Sequence, residues 1–173
     1  MGCAEKGYIE IASMLIDKGV NLDAASQYSG DTALILAIYN GHLNIARLLI
    51  DKGANVNAGS QYGSKALLTA VHNGYLDFAR LLIEKEANVN ATDQFRNNNA
   101  LSWAAEKGYL DFTRLLIEKG ANVNAANRFG DTALTYAVHN DHLDVASMLI
   151  DKGASAHWWQ IFWIWLARLF NCC

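Results

Sequence analysis

Gly7, Gly41, Gly74, Gly108 and Asp141 occupy one recurring position in this chain, separated by 34, 33, 34 and 33 residues. Lys18, Lys52, Lys85, Lys119 and Lys152 recur in the same step. Around these landmarks runs a segment of the form A-x-x-x-G-[HY]-L-[DN]-[FIV]-[AT]-[RS]-x-L-I-[DE]-K-G-A-N-V-N-A. A period of this length describes a solenoid, in which each unit buries its apolar face only by stacking on the next. Such chains present surfaces for binding rather than pockets for chemistry. The two landmarks keep the same spacing, so the extra residue of the 34-residue intervals lies in the turn between them. Comparing Asn21 to Thr32 with Asn55 to Lys65 places it there, where insertions cost least.

Within each period the pattern predicts a polar turn followed by two short antiparallel helices. In residues 94–124, Asn97 stands where sister turns have Gly30, Gly63 and Gly130, and Asn is the residue after Gly that best tolerates a left-handed backbone. A first helix is expected from about Ala100 to Lys107, with Leu101, Ala104 and Ala105 on one face and Gly108 as its stop. A second is expected from about Leu110 to Glu118, turning Leu110, Phe112, Leu115, Leu116 and Ile117 inward and leaving Asp111 and Arg114 wet.

The chain is 52% hydrophobic with a net charge of −3, the balance of a soluble intracellular protein. No concentrated Lys/Arg face is available, which argues against nucleic acid as a partner. Cys3, Cys172 and Cys173 lie at the ends without metal or disulfide spacing, and Glu5 and Lys6 interrupt any signal peptide. His139 and His142 are expected to be split by a turn, so neither a metal nor another cofactor is expected. Phosphate loops, nucleophile elbows and H-E-x-x-H are missing from the sequence, and catalysis is not expected. Asp77/Arg80 and Asp111/Arg114 read as solvated pairs on an outer helix face.

The Thr32-Ala33-Leu34 and Thr132-Ala133-Leu134 triplets, Gly41-His42-Leu43, and the run from Lys52 to Ala58 resemble the ankyrin repeat, over about nine-tenths of the chain. The resemblance implies an all-α solenoid of helix-turn-helix units with β-turn or hairpin-like tips. It gives a domain at 1–156, made of a half repeat at 1–26 and repeats at about 27–60, 61–93, 94–127 and 128–156. The family's T-P-L-H is altered: Ala replaces Pro, Ile35, Leu68, Ser102 and Thr135 replace His, and Lys65 and Asn99 replace Thr. Fewer turn-stabilising hydrogen bonds and modest stability are therefore expected. The second Asn of each N-V-N, at Asn57, Asn90 and Asn124, matches a position that asparaginyl hydroxylases modify in ankyrin proteins, and its first role is expected to be shaping its turn.

The resemblance also implies a function: protein binding, as a scaffold or adaptor, on the concave surface of turn tips and first helices. Carried over residue by residue, that surface takes Tyr28, Ser29, Asp31, Tyr39 and Asn40 from the first full repeat. Gln61, Tyr62, Ser64, His72 and Asn73 come from the second. Phe95, Arg96, Asn98, Glu106 and Lys107 come from the third, and Arg128, Phe129, Asp131, His139 and Asn140 from the fourth. The aromatics at 28, 62, 95 and 129 have two readings: anchors for a partner, or, the favoured expectation, rings packed on their own or the next turn. Similar proteins of intracellular bacteria and large viruses often act on host proteins, which suggests a monomer in the cytoplasm, either the cell's own or that of a host into which it is secreted.

Residues 157–173 break the pattern. Trp158, Trp159, Trp163 and Trp165 fall within an apolar stretch whose polar positions are His157, Gln160, Arg168 and Asn171. As a helix, the 13 residues from Trp158 to Phe170 would reach about 20 Å, short of a bilayer core of about 30 Å. Three readings stand for this tail: a helix capping the last repeat, a membrane-interface helix that would make the protein a membrane-associated adaptor, or a segment without a selected role. The Met1-Gly2-Cys3 and Cys172-Cys173 ends fit lipidation patterns poorly.

Overall fold

The computed structural model describes residues 8–59 and 65–155; the start of the half repeat, the tip of the second repeat and the Trp-rich tail lie outside the described residues. The chain divides into two compact units, Met1–Phe95 and Arg96–Cys173.

The first unit holds helices α1 (Ile9–Asp17), α2 (Ala33–Tyr39), α3 (Leu43–Asp51), α4 (Ala66–His72) and α5 (Leu76–Glu84). The second holds α6 (Ala100–Glu106), α7 (Leu110–Glu118), α8 (Ala133–His139) and α9 (Leu143–Asp151). The predicted helices of the 94–124 stretch thus form almost residue for residue, α6 closing at Glu106. Each repeat pairs its own helices, α2 with α3, α4 with α5, α6 with α7 and α8 with α9, and repeats stack through α2 on α4 and α6 on α8. This is the expected all-α solenoid arrangement within each unit.

The apolar spacing explains the packing. Seven-residue first helices such as α6 bury Ala100, Leu101, Ala104 and Ala105, where small side chains let neighbouring helices approach. Nine-residue second helices supply the bulk: Phe112 is 1% exposed and Leu116 is fully buried. Leu110, Leu115 and Ile117 are only half-buried, so the inward face is narrower than the sequence suggests, while Thr113 is buried and spends its hydroxyl on Tyr109 O at 2.8 Å. Asp77, Asp111 and Arg114 are exposed, as an outer face requires.

Three of the first helices are capped at their starts despite the altered T-P-L-H. Thr32 and Thr132 accept hydrogen bonds from the amides of Ile35 and Thr135, and Thr135 returns one to make a capping box. Asn99 is not a loss: its Oδ1 accepts from both Ser102 N (2.8 Å) and Ser102 Oγ (3.0 Å). Asn caps as well as Thr because its carbonyl reaches the same orphan amides. Among the first helices α2, α4, α6 and α8, only α4, starting after Lys65, has no side-chain cap.

Asn97 adopts φ 61, the left-handed conformation expected of it. Glu86 does so too, at φ 63, in the place where the other repeats have Gly19, Gly53, Gly120 and Gly153. A side chain there carries strain that Gly avoids.

The connecting segments carry a division of labour that the sequence conceals. The first Asn of each N-x-N shapes the turn: Asn55, Asn88 and Asn122 accept from the amide two residues on at 2.9–3.0 Å. At Asn57 and Asn124 the second Asn instead crosses to the next repeat, so there it joins two connecting turns rather than shaping one. Asn57 donates to Glu86 O (3.0 Å) and accepts from Asn88 N (2.7 Å); Asn124 donates to Gly153 O (3.1 Å) and accepts from Ser155 N (2.6 Å). In the half repeat Asp23 can only accept, and takes the amide of Asn55 at 2.8 Å. The Lys52 to Asp17 ion pair at 3.3 Å adds little there, since both side chains are largely exposed.

Asn124→Ala deletes a donor and an acceptor that join two repeats. We expect a loss of about 1–2 kcal/mol, with Asn124→Asp between that and wild type because it keeps the acceptor. Urea denaturation followed by circular dichroism measures this; equal stability of all three chains would refute the bridging role.

Candidate partner-binding surface

The tips of the first full and fourth repeats are closed by a backbone hydrogen bond across a short polar loop. In the fourth repeat Asn127 N donates to Asp131 O at 2.8 Å, spanning four residues. In the first full repeat Ser26 N donates to Asp31 O at 2.9 Å, spanning five. The additional residue that the 34-residue interval requires is therefore in the tip. The aromatic keeps its place two residues after the closing position, at Tyr28 and Phe129. Ser29 is the insertion before the left-handed Gly30. A second bridge, between Gly59 and Lys65, flanks the second tip as an antiparallel pair, matching the hairpin-like tips expected.

The tip rings are not packed. Tyr28 is 93% exposed, Phe95 79% and Phe129 73%. That overturns the expectation that they lie on their own or neighbouring turns; the loops are too short and polar to offer an apolar seat. Tyr62, with Gln61 and Ser64, lies outside the described residues.

At the far end of the first helices, Tyr39 is 69% exposed, and Asn40, His72, Lys107, His139 and Asn140 are also exposed; Asn73 and Glu106 are half-buried. Two of these have structural work of their own: Asn40 donates to Leu36 O (2.8 Å) and Asn140 to Tyr136 O (2.9 Å), closing helix C-termini. His139 ends α8 and His142 precedes α9, so the turn between them separates the two imidazoles. His142 reaches back to the preceding repeat, its Nε2 3.0 Å from Glu106 O. A carbonyl only accepts, so Nε2 carries the proton.

The tips of the second unit are stitched together by a buried polar cluster. Asn127 donates to Asn98 Oδ1 (3.1 Å), Tyr136 Oη (3.0 Å) and Asp131 Oδ2 (3.3 Å), while Tyr136 donates to Asn98 Oδ1 at 3.1 Å. Arg128 N donates to Arg96 O at 2.8 Å alongside. Asn98 is only 1% exposed, so its expected place on the binding surface is corrected: it ties one tip to the next. Arg96, Arg128 and Phe129 remain exposed around this cluster, with Asp131 half-buried. Nothing in local sequence distinguishes Asn98 from Asn97, because its partners lie 29 and 38 residues away.

In the first unit the corresponding tip leaves a cleft of about 690 Å³, lined among others by Tyr28, Ser29, Asp31, Tyr39 and Thr69. Among the described residues no three His, Cys, Asp or Glu side chains gather to hold a metal ion. Among them, too, no helix is long and apolar enough to cross a membrane. Trp158, Trp159, Trp163 and Trp165 lie outside the described residues, as does every reading of the tail.

Stacked two-helix units with a polar turn tip define a helical repeat protein, each unit burying its apolar face on the next. Family models carry the identification further: ankyrin repeats (3 copies) match residues 1–93 and ankyrin repeats (many copies) match residues 101–150. The chain belongs to the ankyrin repeat family, whose members are generally protein–protein interaction modules. No curated protein is significantly similar to the chain.

Proposed function

We propose that this protein binds a partner protein through its turn tips and the exposed ends of its first helices, without catalysing a reaction. The observation that carries the proposal is the exposure of Tyr28, Tyr39, Phe95 and Phe129, four large rings held out of the core on polar loops and helix ends. Rings left in water gain most from burial against another protein and lose little side-chain entropy when they get there. In the second unit Arg96, Arg128, Lys107 and His139 with Asp131 and Glu106, and in the first unit Asp31, supply charge for orientation and partner choice. The same reading makes the protein an intracellular monomer acting as scaffold or adaptor.

Changing Tyr28, Tyr39, Phe95 and Phe129 together to Ala should leave the helical circular dichroism spectrum intact, since none of the four belongs to the core. Capture of partners from a cell lysate, quantified by mass spectrometry against the wild-type chain, should fall about tenfold or more. An unchanged set of partners at unchanged yield would end this proposal.

A further inference from the structure

We propose that the cleft of the first full repeat takes an arginine side chain of the partner protein, with Asp31 as its counter-charge and Tyr28 and Tyr39 as its aromatic walls. The inference rests on the protein-binding reading above and specifies the chemistry of one subsite within it.

The two tips that open in the same way treat their aspartates differently. In the fourth repeat the tip is closed by Asn127, whose amide donates to Asp131 Oδ2 at 3.3 Å. In the first full repeat Ser26 takes the closing position, and its hydroxyl is occupied in accepting from Tyr28 N (3.3 Å) and Ser29 N (3.4 Å). Serine is also too short to carry an amide donor to the carboxylate. Asp31 Oδ1 is consequently buried with no hydrogen-bond partner. An ionised carboxylate oxygen withdrawn from water without a donor is unfavourable, and a donor that arrives with a positive charge relieves it most.

The cleft beside it is suited to such a donor. Its volume of about 690 Å³ accommodates a long side chain, and among the described residues that line it Asp31 is the only charged one. Lys65, four residues before Thr69 of the lining, is directed elsewhere, its side chain lying over Gly59 where a Cβ would meet it. Tyr28 and Tyr39 stand at 93% and 69% exposure on the same lining. Guanidinium combines what these groups ask for: several N–H donors in a planar fork for the carboxylate, and a flat, weakly hydrated cation that stacks on tyrosine faces.

The test uses the full chain labelled with nitrogen-15 and titrated with N-acetyl-arginine amide, with N-acetyl-citrulline amide as the neutral isostere. The arginine probe should produce saturable amide shifts confined to residues of the cleft, including Ser29, Asp31, Tyr39 and Thr69, and the citrulline probe should bind at least about tenfold more weakly. Asp31→Asn should weaken the arginine probe by a similar factor, Tyr39→Ala by about threefold, and Asp131→Asn should leave it unchanged. Equal binding of the two probes, shifts that never saturate, or an Asp31→Asn chain that binds as wild type would overturn the subsite. If the four-ring substitution still abolishes partner capture while Asp31→Asn has no effect on either readout, the subsite fails and the protein-binding surface stands.

Discussion

Phe112→Ala is expected to destabilise the protein by about 3–5 kcal/mol, against about 1 kcal/mol for Phe112→Leu. The ring is 1% exposed on α7, a helix in contact with both α6 and α9, so its removal opens a void that two repeats must share. A stacked array amplifies such a loss, because each repeat is stable chiefly through the interface with its neighbour. Domains of this size are stable by only about 5–15 kcal/mol, and the Ala variant should therefore show a clearly lowered urea midpoint. Equilibrium denaturation followed at 222 nm measures it; a loss below about 1 kcal/mol would mean that the site collapses around the void and that the Phe112 ring does not hold α6 and α9 on α7.

The contrast with surface positions shows which parts of the molecule are written locally in the chain. Helices α6 and α7 could be placed from Ala100 to Glu118 because their ends are marked by residues within a few positions, Asn97 and Asn99 before, Gly108 between and Gly120 after. Asn97 could likewise be assigned a left-handed backbone, since it stands in register with Gly30, Gly63 and Gly130 and Asn tolerates that conformation. Glu86 escaped notice by the same logic: nothing intrinsic to Glu announces φ 63, and only its register with four glycines does.

Contacts between repeats were far less legible. Asn57 and Asn124 look like turn formers, yet their amides bridge to groups 29 to 31 residues away, and the choice between the two roles is made by the neighbouring repeat. Asn98 and its sister positions Asp31 and Asp131 share a register, but burial separates them. Asn98 is held by Asn127 and Tyr136 of the following repeat, partners that meet it only once the two tips are folded. The binding surface was legible as a set of positions, because tips and first-helix ends recur with the period. Which of those side chains are free for a partner was not, since helix ends recruit Asn40 and Asn140 for their own carbonyls.

Gly108 provides the sharpest test of how repeats interlock. It has φ +70, and a Cβ built on it would lie 2.6 Å from His142 Nδ1 and 2.7 Å from Cε1. The imidazole cannot simply retreat, because its Nε2 holds Glu106 O at 3.0 Å across the repeat boundary. Gly108→Ala should therefore combine left-handed backbone strain of about 1–2 kcal/mol with the loss of a hydrogen bond worth about 1 kcal/mol, for a total of about 2–3 kcal/mol. Gly120 is the control: it has φ +87 and nothing within 4 Å of the built Cβ, so Gly120→Ala should cost the strain alone. Removing the ring separates the two contributions. In the His142→Ala background, Gly108→Ala should fall back to the cost seen at Gly120, leaving a coupling energy of about 1 kcal/mol or more between the two sites. Additive losses in that double-mutant cycle would show that the glycine is required by its backbone alone, and that the histidine of the following repeat does not dictate how closely the two turns approach.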